Sequence, residues 1–466
     1  MIKFGTDGWR ALIAKDFTFE NLGYVALATA KYIWKNTTKI NPTVVIGYDT
    51  RFLSKEFAHE VAKILAWKDI TVHLADNISS TPQVSYHTKI KSADLGIVIT
   101  ASHNPPEYSG FKVKASFGGP ATPDQIEEIE KYLAKIVKKE PKIKAKEVEV
   151  YITSKKIKMF DAKESYLRYL KKKINFKAIN DSNFKILYDP MYGAGIDTIQ
   201  HLLPNAVAIH NEHNPSFGEI DHPEPISECL SILMEKTKKE KFDFAFATDG
   251  DADRLGAVDS DGHFVDSHKI FMILLKYLYE VKKKRGSVAK TISLTSMVNQ
   301  FCEKHKINLF ETKVGFKYIA ELMVNENILI GGEESGGLST SLHIPERDGL
   351  FNAMLLLEVM AVTKKSLKQL CLDLDKEFGI HRFARRDIKV LPSVQKSIQD
   401  LCISKPKNIG KFEIIDYDFL DGYKFYIKNG WLLIRSSGTE PLLRYYAEAD
   451  SINLVNELLD EAIKLK

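Results

Sequence analysis

The strongest constraint on the fold is a pattern that occurs three times along the chain. A short run of apolar, β-prone residues gives way to small or polar turn residues and then to a helical pattern. The three occurrences are TVVIGYDTR (residues 43–51) before SKEFAHEVAKILAWK, FKILYDPMYGAG (184–195) before IDTIQHLL, and AKTISLTSMV (289–298) before NQFCEKHK. Buried strands alternating with helices predict βαβ units and parallel or mixed sheets. Phases near residues 44, 185 and 290 predict three related α/β domains in series, consistent with a length of 466 residues, more than one hydrophobic core holds.

After about residue 370 the texture changes. YKFYIKNGWLLIR (423–435) is two β-prone runs around Asn429-Gly430, the signature of a type I′ hairpin. The terminal stretch opens on a capping serine, Ser451, and places Ile452, Val455, Leu458, Leu459 and Ile463 on one helical face. A smaller C-terminal α+β domain is expected. The lysine-rich KIVKKEPKIKAKEVEV (135–150) marks a first junction and VDSDG (258–262) another, so the expected divisions are 1–145, 150–258, 259–370 and 375–466.

Charge narrows the partners. The chain carries 66 basic and 61 acidic residues, net +5, a mild excess that suits small anions. No basic patch with interleaved aromatics is present, so no nucleic-acid partner is expected. The lysine runs 171–173 and 282–285 read as solvated helix faces. The N-terminal stretch has Asp7, Arg10, Lys15 and Asp16 where a secretion signal needs an apolar run. The most apolar helix candidate, residues 353–362, is interrupted by Glu358 and too short to span a bilayer, so no membrane partner is expected. Cys229, Cys302, Cys371 and Cys402 are far apart and form no CxxC pair, which predicts reduced thiols and a cytoplasmic protein.

Four stretches carry chemistry. In TASHNPP (100–106), Ser102 stands before His103, and two prolines close the segment. Adjacent side chains of an extended stretch point apart, so His103 is not expected to serve as the base for Ser102. In ATDGDADRLG (247–256), Asp249, Asp251 and Asp253 alternate with small residues behind an apolar strand. That spacing turns three carboxylates to one side, a hard-oxygen site for Mg²⁺. An EF-hand is excluded because Arg254 and Ser260 occupy the positions that need glycine and glutamate.

RSSGTEP (435–441) reads either as a phosphate cradle built from an arginine fork, hydroxyls and a glycine, or as an ordinary Ser-Gly turn. GGEESGG (331–337) reads either as a loop whose Glu333, Glu334 and Ser335 bridge vicinal sugar hydroxyls, or as a plain flexible loop. HIPERDG places His343 and Arg347 beside it. YGAGIDT (192–198) lacks the third glycine of a dinucleotide fingerprint, where Thr198 stands, and no Walker A pattern occurs. The second HNP, residues 213–215, follows Glu212 and reads as a turn before proline.

A serine, a triple-aspartate loop, a polyol-binding loop and a separate phosphate cradle point together to phosphoryl transfer on a sugar. A kinase needs a nucleotide site, and a phosphatase needs one phosphate site open to water. A chain that stores a phosphoryl group on its own serine and handles two phosphates is a mutase. The motifs FGTDGWR, GIVITASHNPPEYSGFK, DGDADR, GGEESGG and RSSGTEP, in this order over essentially the whole chain, resemble those of the α-D-phosphohexomutase family of phosphoglucomutases and phosphomannomutases.

The resemblance implies three related α/β domains and a smaller fourth around a central active-site cleft. The first would carry the phosphoserine loop, the second the metal loop, the third the sugar loop and the fourth the phosphate loop. It implies that Ser102 carries the phosphoryl group and that one Mg²⁺ per chain is held by Asp249, Asp251, Asp253 and an oxygen of phosphoserine. Arg10 and Arg254 match residues near the transferring phosphate, and Lys112 matches a general acid/base, a role that calls for a lowered pKa when it acts as base. His103 and Asn104 fix the loop. Glu333 and Ser335 match residues that grip sugar hydroxyls. Arg435, Ser437, Gly438 and Thr439, helped by Arg347, match the loop that holds the non-reacting phosphate.

The implied reaction interconverts glucose 1-phosphate and glucose 6-phosphate through glucose 1,6-bisphosphate, with a hexose 1,6-bisphosphate as activator and the chain a monomer or homodimer. Dual-specificity relatives commonly have histidine where Gly337 stands, and another where Phe316 stands, while the GEES tetrad and HIPERDG look more like phosphoglucomutases. Ser109 replaces a frequent asparagine. Glucose phosphate is therefore the first expectation, mannose phosphate or dual specificity the second, glucosamine phosphate the third. A sugar phosphatase acting through the same serine, or a sugar-phosphate sensor without activity, would be the rivals.

Overall fold

The computed structural model describes residues 2–436 and 442–465. The first unit is built on a seven-stranded sheet. Thr43–Tyr48, Thr71–Ala75, Leu95–Ile99 and Ile157–Phe160 run parallel, and Tyr108–Ala115 and Trp9–Leu12 add on antiparallel at one side. The lysine-rich stretch therefore does not end this unit: Ile157–Phe160, beyond it, still pairs with Thr71–Ala75. The second sheet has five strands around Ile186–Asp189 and Phe244–Thr248, and the VDSDG turn joins two of them, Leu255–Val258 and Phe264–Val265. The third has four, around Ser287–Thr291 and Ile328–Gly332. Mixed α/β units thus recur three times, although the helix after Ile186–Asp189 is only the short Ile199–Leu202.

In each unit a parallel strand leads into a loop and returns as an antiparallel neighbour. Leu95–Ile99 returns as Tyr108–Ala115, Phe244–Thr248 as Leu255–Val258, and Ile328–Gly332 as Leu338–Thr340. The three loops between them are those of Ser102, of the aspartates and of Glu333. Ligands of open α/β sheets bind outside the carboxyl ends of the strands, where these loops emerge. The second and third units share one continuous core. Its centre is the helix Gly349–Thr363, apolar on all faces and buried over residues 349–360. Its one acid, Glu358, is satisfied by the Tyr277 hydroxyl at 2.7 Å, the Asn175 N–H at 2.7 Å and Lys282 Nζ at 2.6 Å. No helix among the described residues is long and apolar enough to cross a membrane.

The C-terminal unit is a five-stranded antiparallel sheet covered by the helix Ile452–Ile463, which Ser451 caps by accepting the Leu454 N–H. Val455, Leu458 and Leu459 are buried as the periodicity predicts, but Ile452 is 47% exposed because it lies on the first turn. The hairpin at 423–436 forms, yet it is not of type I′. Ile427 pairs with Gly430, so Lys428 and Asn429 make the loop, and neither has a positive φ. Gly430 is required for another reason: a Cβ there would lie 2.1 Å from the Glu448 carbonyl oxygen. The sheet docks on the third unit through Ile292, Trp431, Leu433 and Tyr446. Glu448 fastens the contact by accepting from the Ser296 N–H at 3.0 Å, from Trp431 Nε1 at 3.1 Å and from the Ser296 hydroxyl.

Candidate active site

Ser102 lies in a turn with φ of 53°, the left-handed region that few non-glycine residues adopt. The turn departs from the extended geometry expected of this stretch. Consequently His103 Nδ1 comes within 3.4 Å of the Ser102 hydroxyl, a long contact. The hydroxyl instead donates to Asp249 Oδ2 at 2.9 Å. Burial, and then the cations Arg254, Arg10, Lys112 and Arg385, hold His103 well below the usual histidine range, so its imidazole is neutral. The same positive field suits a dianionic phosphoryl group beside Ser102. Arg10 also holds the loop, donating to Asn104 Oδ1 at 2.7 Å.

Asp249, Asp251 and Asp253 are fully buried, and one carboxylate oxygen from each falls within 4.8 Å of the others. Asp251 and Asp253 each spend one oxygen on the protein, whereas Asp249 spends both, its Oδ2 on the Ser102 hydroxyl. Asp249 Oδ1 accepts the N–H groups of Asp253 and Arg254 at 2.9 and 3.1 Å. Asp251 Oδ2 accepts from Thr81 Oγ1 at 2.5 Å and Lys112 Nζ at 2.6 Å. Asp253 Oδ2 accepts from Arg347 Nη2 at 2.6 Å. Oδ1 of Asp251 and of Asp253 are buried without a hydrogen-bond partner. Burial, then repulsion from Asp253 and Asp251, pushes the Asp249 carboxyl well above the usual range. Crowded carboxylates with orphaned oxygens fit a hard divalent cation.

Lys112 is buried on the strand Tyr108–Ala115, with Nζ 2.6 Å from Asp251, 2.8 Å from Asp7 and 3.3 Å from Asp253. Burial works against its charge, but these three carboxylates prevail and its pKa is raised. The lowered pKa expected of a lysine base is not found here. Arg254 Nη1 donates to Glu224 at 2.9 Å while Nε stays 3.9 Å from Asp249.

Arg347 is turned into the acidic cluster, pairing with Asp7 at 2.5 Å and with Asp253, and its Nη1 lies 3.5 Å from Glu333. Its neighbours complete a clasp between units: Glu346 pairs with Lys114 at 2.8 Å, and Asp348 accepts from the Tyr166 hydroxyl at 2.7 Å. His343 Nε2 lies 2.9 Å from Asp348 Oδ2, and its ring stacks on Phe351 in the core. Glu333 accepts the Gly315 N–H at 3.0 Å, and Ser335 is half-buried at the tip of the same loop. Next to Gly315, the Val314 N–H donates to Asp421, which pairs with Arg435 at 2.8 Å. The C-terminal sheet thereby meets the Glu333 loop. Ser437, Gly438 and Thr439 lie outside the described residues.

Two glycines are dictated by contact between loops. A Cβ on Gly250 would stand 2.3 Å from the Ser102 carbonyl oxygen, and one on Gly336 would stand 2.7 Å from the Leu255 carbonyl oxygen. Since backbone oxygens cannot swing aside, Gly250→Ala should separate the aspartate loop from Ser102. The expected result is a melting curve lowered by about 1–3 kcal/mol of stability and kcat reduced roughly 100-fold. Wild-type kcat in this variant would show that the contact is dispensable. Gly193, in the segment that mimics a dinucleotide fingerprint, serves the same loop: its Cβ would lie 2.8 Å from the Asp249 carbonyl oxygen.

The comparisons with known proteins agree with this architecture. Four family models match in order: phosphoglucomutase/phosphomannomutase α/β/α domain I over residues 1–140, domain II over 164–262, domain III over 266–378 and the C-terminal domain over 384–465. The chain belongs to the phosphoglucomutase/phosphomannomutase family of phosphohexomutases, Mg²⁺-dependent enzymes that isomerise sugar phosphates by phosphate transfer. It is 29% identical to a phosphoglucomutase/phosphomannomutase of Thermococcus kodakarensis, covering 99% of this chain and 98% of that one. It is 30% identical to a phosphoglucosamine mutase of Bacillus cytotoxicus, covering 99% and 97%. A solved structure assigned to phosphomannomutase from Thermus thermophilus superposes with a TM-score of 0.85 at 32% identity, covering 100% and 98%.

Proposed function

We propose that this chain interconverts glucose 1-phosphate and glucose 6-phosphate through a phosphoryl group carried on Ser102 and a glucose 1,6-bisphosphate intermediate that also primes the enzyme. One observation carries the reading: the Ser102 hydroxyl is bonded to Asp249 inside a buried aspartate cluster whose other members keep orphaned oxygens. Asp249, Asp251 and Asp253 would hold Mg²⁺, which when bound neutralises charge on the phosphoryl oxygens. Arg10 and Arg254 orient the transferring group. Lys112, kept charged by its carboxylates, acts first as proton donor to the oxygen that loses the phosphoryl group, and the neutral amine so formed takes up the proton of the hydroxyl that gains it. Glu333 and Ser335 hold sugar hydroxyls, and Arg435 with Ser437, Gly438 and Thr439 holds the second phosphate. Phosphoryl transfer asks for this alignment and neutralisation more than for covalent help.

The preference for glucose rests on the GEES tetrad and on Gly337, where a Cβ would meet Arg347 Cδ at 2.3 Å. No side chain at 337 can contact the sugar while Arg347 stays paired. The test is incubation with Mg²⁺, a trace of glucose 1,6-bisphosphate and, separately, glucose, mannose and glucosamine 1-phosphates. Fastest formation of glucose 6-phosphate is the expected result. Preference for another sugar overturns the substrate, and steady release of inorganic phosphate without isomer overturns the mutase.

The proposed role of Glu333 predicts a pH dependence. Burial, opposed by Arg347 and reinforced by Glu334, pushes its carboxyl up to about 7. A carboxyl raised in the fold destabilises as pH climbs from its unfolded value, about 4.3, through 7, and is level above. Sugar hydroxyls need the ionised form as acceptor, so KM should fall as pH rises through about 7. Glu333→Gln should have a higher KM that lacks this inflection, measured over the same range. An unchanged inflection in the variant assigns the titration elsewhere.

A further inference from the structure

Arg51 was not among the candidate residues, yet it is the most densely bonded side chain beneath the Ser102 loop. It follows the strand Thr43–Tyr48 and is 2% exposed. Its Nη2 donates to the carbonyls of Ser102 and Asn104, both at 2.6 Å, and its Nη1 to those of Pro105 at 2.7 Å and Tyr108 at 3.0 Å. Its Nε faces Asp49 Oδ2 at 3.2 Å, while Asp49 Oδ1 accepts the Arg51 N–H at 3.0 Å and the Ser54 hydroxyl at 2.7 Å. From the second unit, the Phe217 ring lies 4.9 Å from the guanidinium carbon, and His213 Nε2 lies 3.0 Å from the Thr50 carbonyl.

This loop has little of its own to order it. It holds two prolines without N–H groups and a serine at positive φ, and its internal backbone bonds are few, from the Asn104 N–H to Ala101 and from the Tyr108 N–H to Pro105. Buried carbonyls need donors, and one planar guanidinium meets these four from a single fixed position. Lysine offers three donors from one point and has no second nitrogen to spread over the loop. The Ser102 carbonyl that Arg51 holds is also the atom against which Gly250 packs. The guanidinium thus fixes the face of Ser102 that meets the aspartate loop.

We propose that Arg51 is a positioning residue for phosphoryl transfer: acting through the backbone of residues 102–108, it sets the direction of the Ser102 oxygen toward Asp249 without touching the sugar. The proposal rests on the reading that Ser102 carries the phosphoryl group. Arg51→Lys, Asp49→Asn and Ser102→Ala are compared with wild type on the hexose phosphate that wild type turns over fastest. The readouts are kcat, KM, melting temperature and the phosphate taken up from glucose 1,6-bisphosphate by intact mass.

In Arg51→Lys, kcat should fall roughly 100-fold, the effect of a misplaced reacting atom, with KM within about twofold and phosphate uptake slowed in parallel. A residue that only stabilises the fold would lower the melting temperature and leave kcat per folded molecule at the wild-type value, which overturns the proposal. If Arg51→Lys does not fold, Asp49→Asn decides, because it loosens Nε and leaves the four carbonyl bonds in place. There a roughly tenfold loss in kcat at constant KM is the supporting result, and unchanged kcat the overturning one. Wild-type kcat in the Arg51 variant beside an inactive Ser102→Ala discards Arg51 alone, whereas turnover in Ser102→Ala discards the phosphoserine reading and this proposal with it.

Discussion

Ser102→Ala is expected to lose roughly 10⁴-fold or more in kcat, on the scale of removing a covalent nucleophile, while folding as wild type does. The hydroxyl makes one close bond, to Asp249, so deleting it costs about 1 kcal/mol of stability. The turn that holds it survives, because its supports do not use the hydroxyl. Arg51 holds the carbonyls, and the Ser102 N–H donates to Thr100 Oγ1 at 2.9 Å. Alanine replaces serine at the same positive φ and adds no atom to the contact with Gly250. Stabilisation by Mg²⁺ in thermal melts should persist, since the free oxygens of Asp251 and Asp253 are untouched. Isomerisation is followed by coupled detection of the 6-phosphate, and phosphate uptake from the bisphosphate by intact mass. The variant should take up none. Retention of more than about one hundredth of wild-type kcat would place the transferred phosphate on another group.

The three loops were legible because each interrupts a pair of β runs with residues no strand needs: Ser-His-Asn-Pro, alternating aspartates, and glutamates among glycines. The repeat of strand and helix predicted the three related sheets, and the structure adds that each loop leaves the carboxyl end of a parallel strand and returns antiparallel. Pairings across the units were not legible. Arg347 reaches Asp7 across 340 positions, and Lys112 reaches Asp251 across 139. Nothing local marks Asp7, Arg51, Glu224 or Glu346 as part of the site, although Asp7, Arg51 and Glu346 stood in stretches already singled out. The direction of the Lys112 shift was missed for the same reason, since its three carboxylates come from two distant segments. Local rules also misassigned geometry where tertiary contact governs. Asn429-Gly430 suggested a type I′ turn, but this glycine answers to Glu448 on the neighbouring strand. His103 was expected to point away from Ser102, and a left-handed turn brought it near.

Lys112→Met carries the second large effect, and it separates two contributions of one side chain. In the wild-type protein the ammonium stands among Asp7, Asp251 and Asp253, all within 3.3 Å, with 1% of its side chain exposed. Methionine fills nearly the same volume and leaves Asp251 and Asp253, both fully buried, without their shared cation. Breaking one side of a buried ion pair costs about 3–5 kcal/mol, so the metal-free variant should melt well below wild type. Divalent cation replaces part of the missing positive charge. Saturating Mg²⁺ should therefore raise the melting temperature of the variant more than that of wild type, by mass action on the folded state. Activity should not return with stability. Removing a general acid costs about 10²–10⁴-fold, and Mg²⁺ has no proton to donate to the departing oxygen. The expected outcome is a stable, Mg²⁺-loaded protein with kcat reduced on that scale and KM little changed. Wild-type kcat in the Mg²⁺-stabilised variant would show that Lys112 only balances charge and that the proton is supplied elsewhere. Equal melting of the variant and wild type without Mg²⁺ would show instead that the three carboxylates are not held together by this lysine.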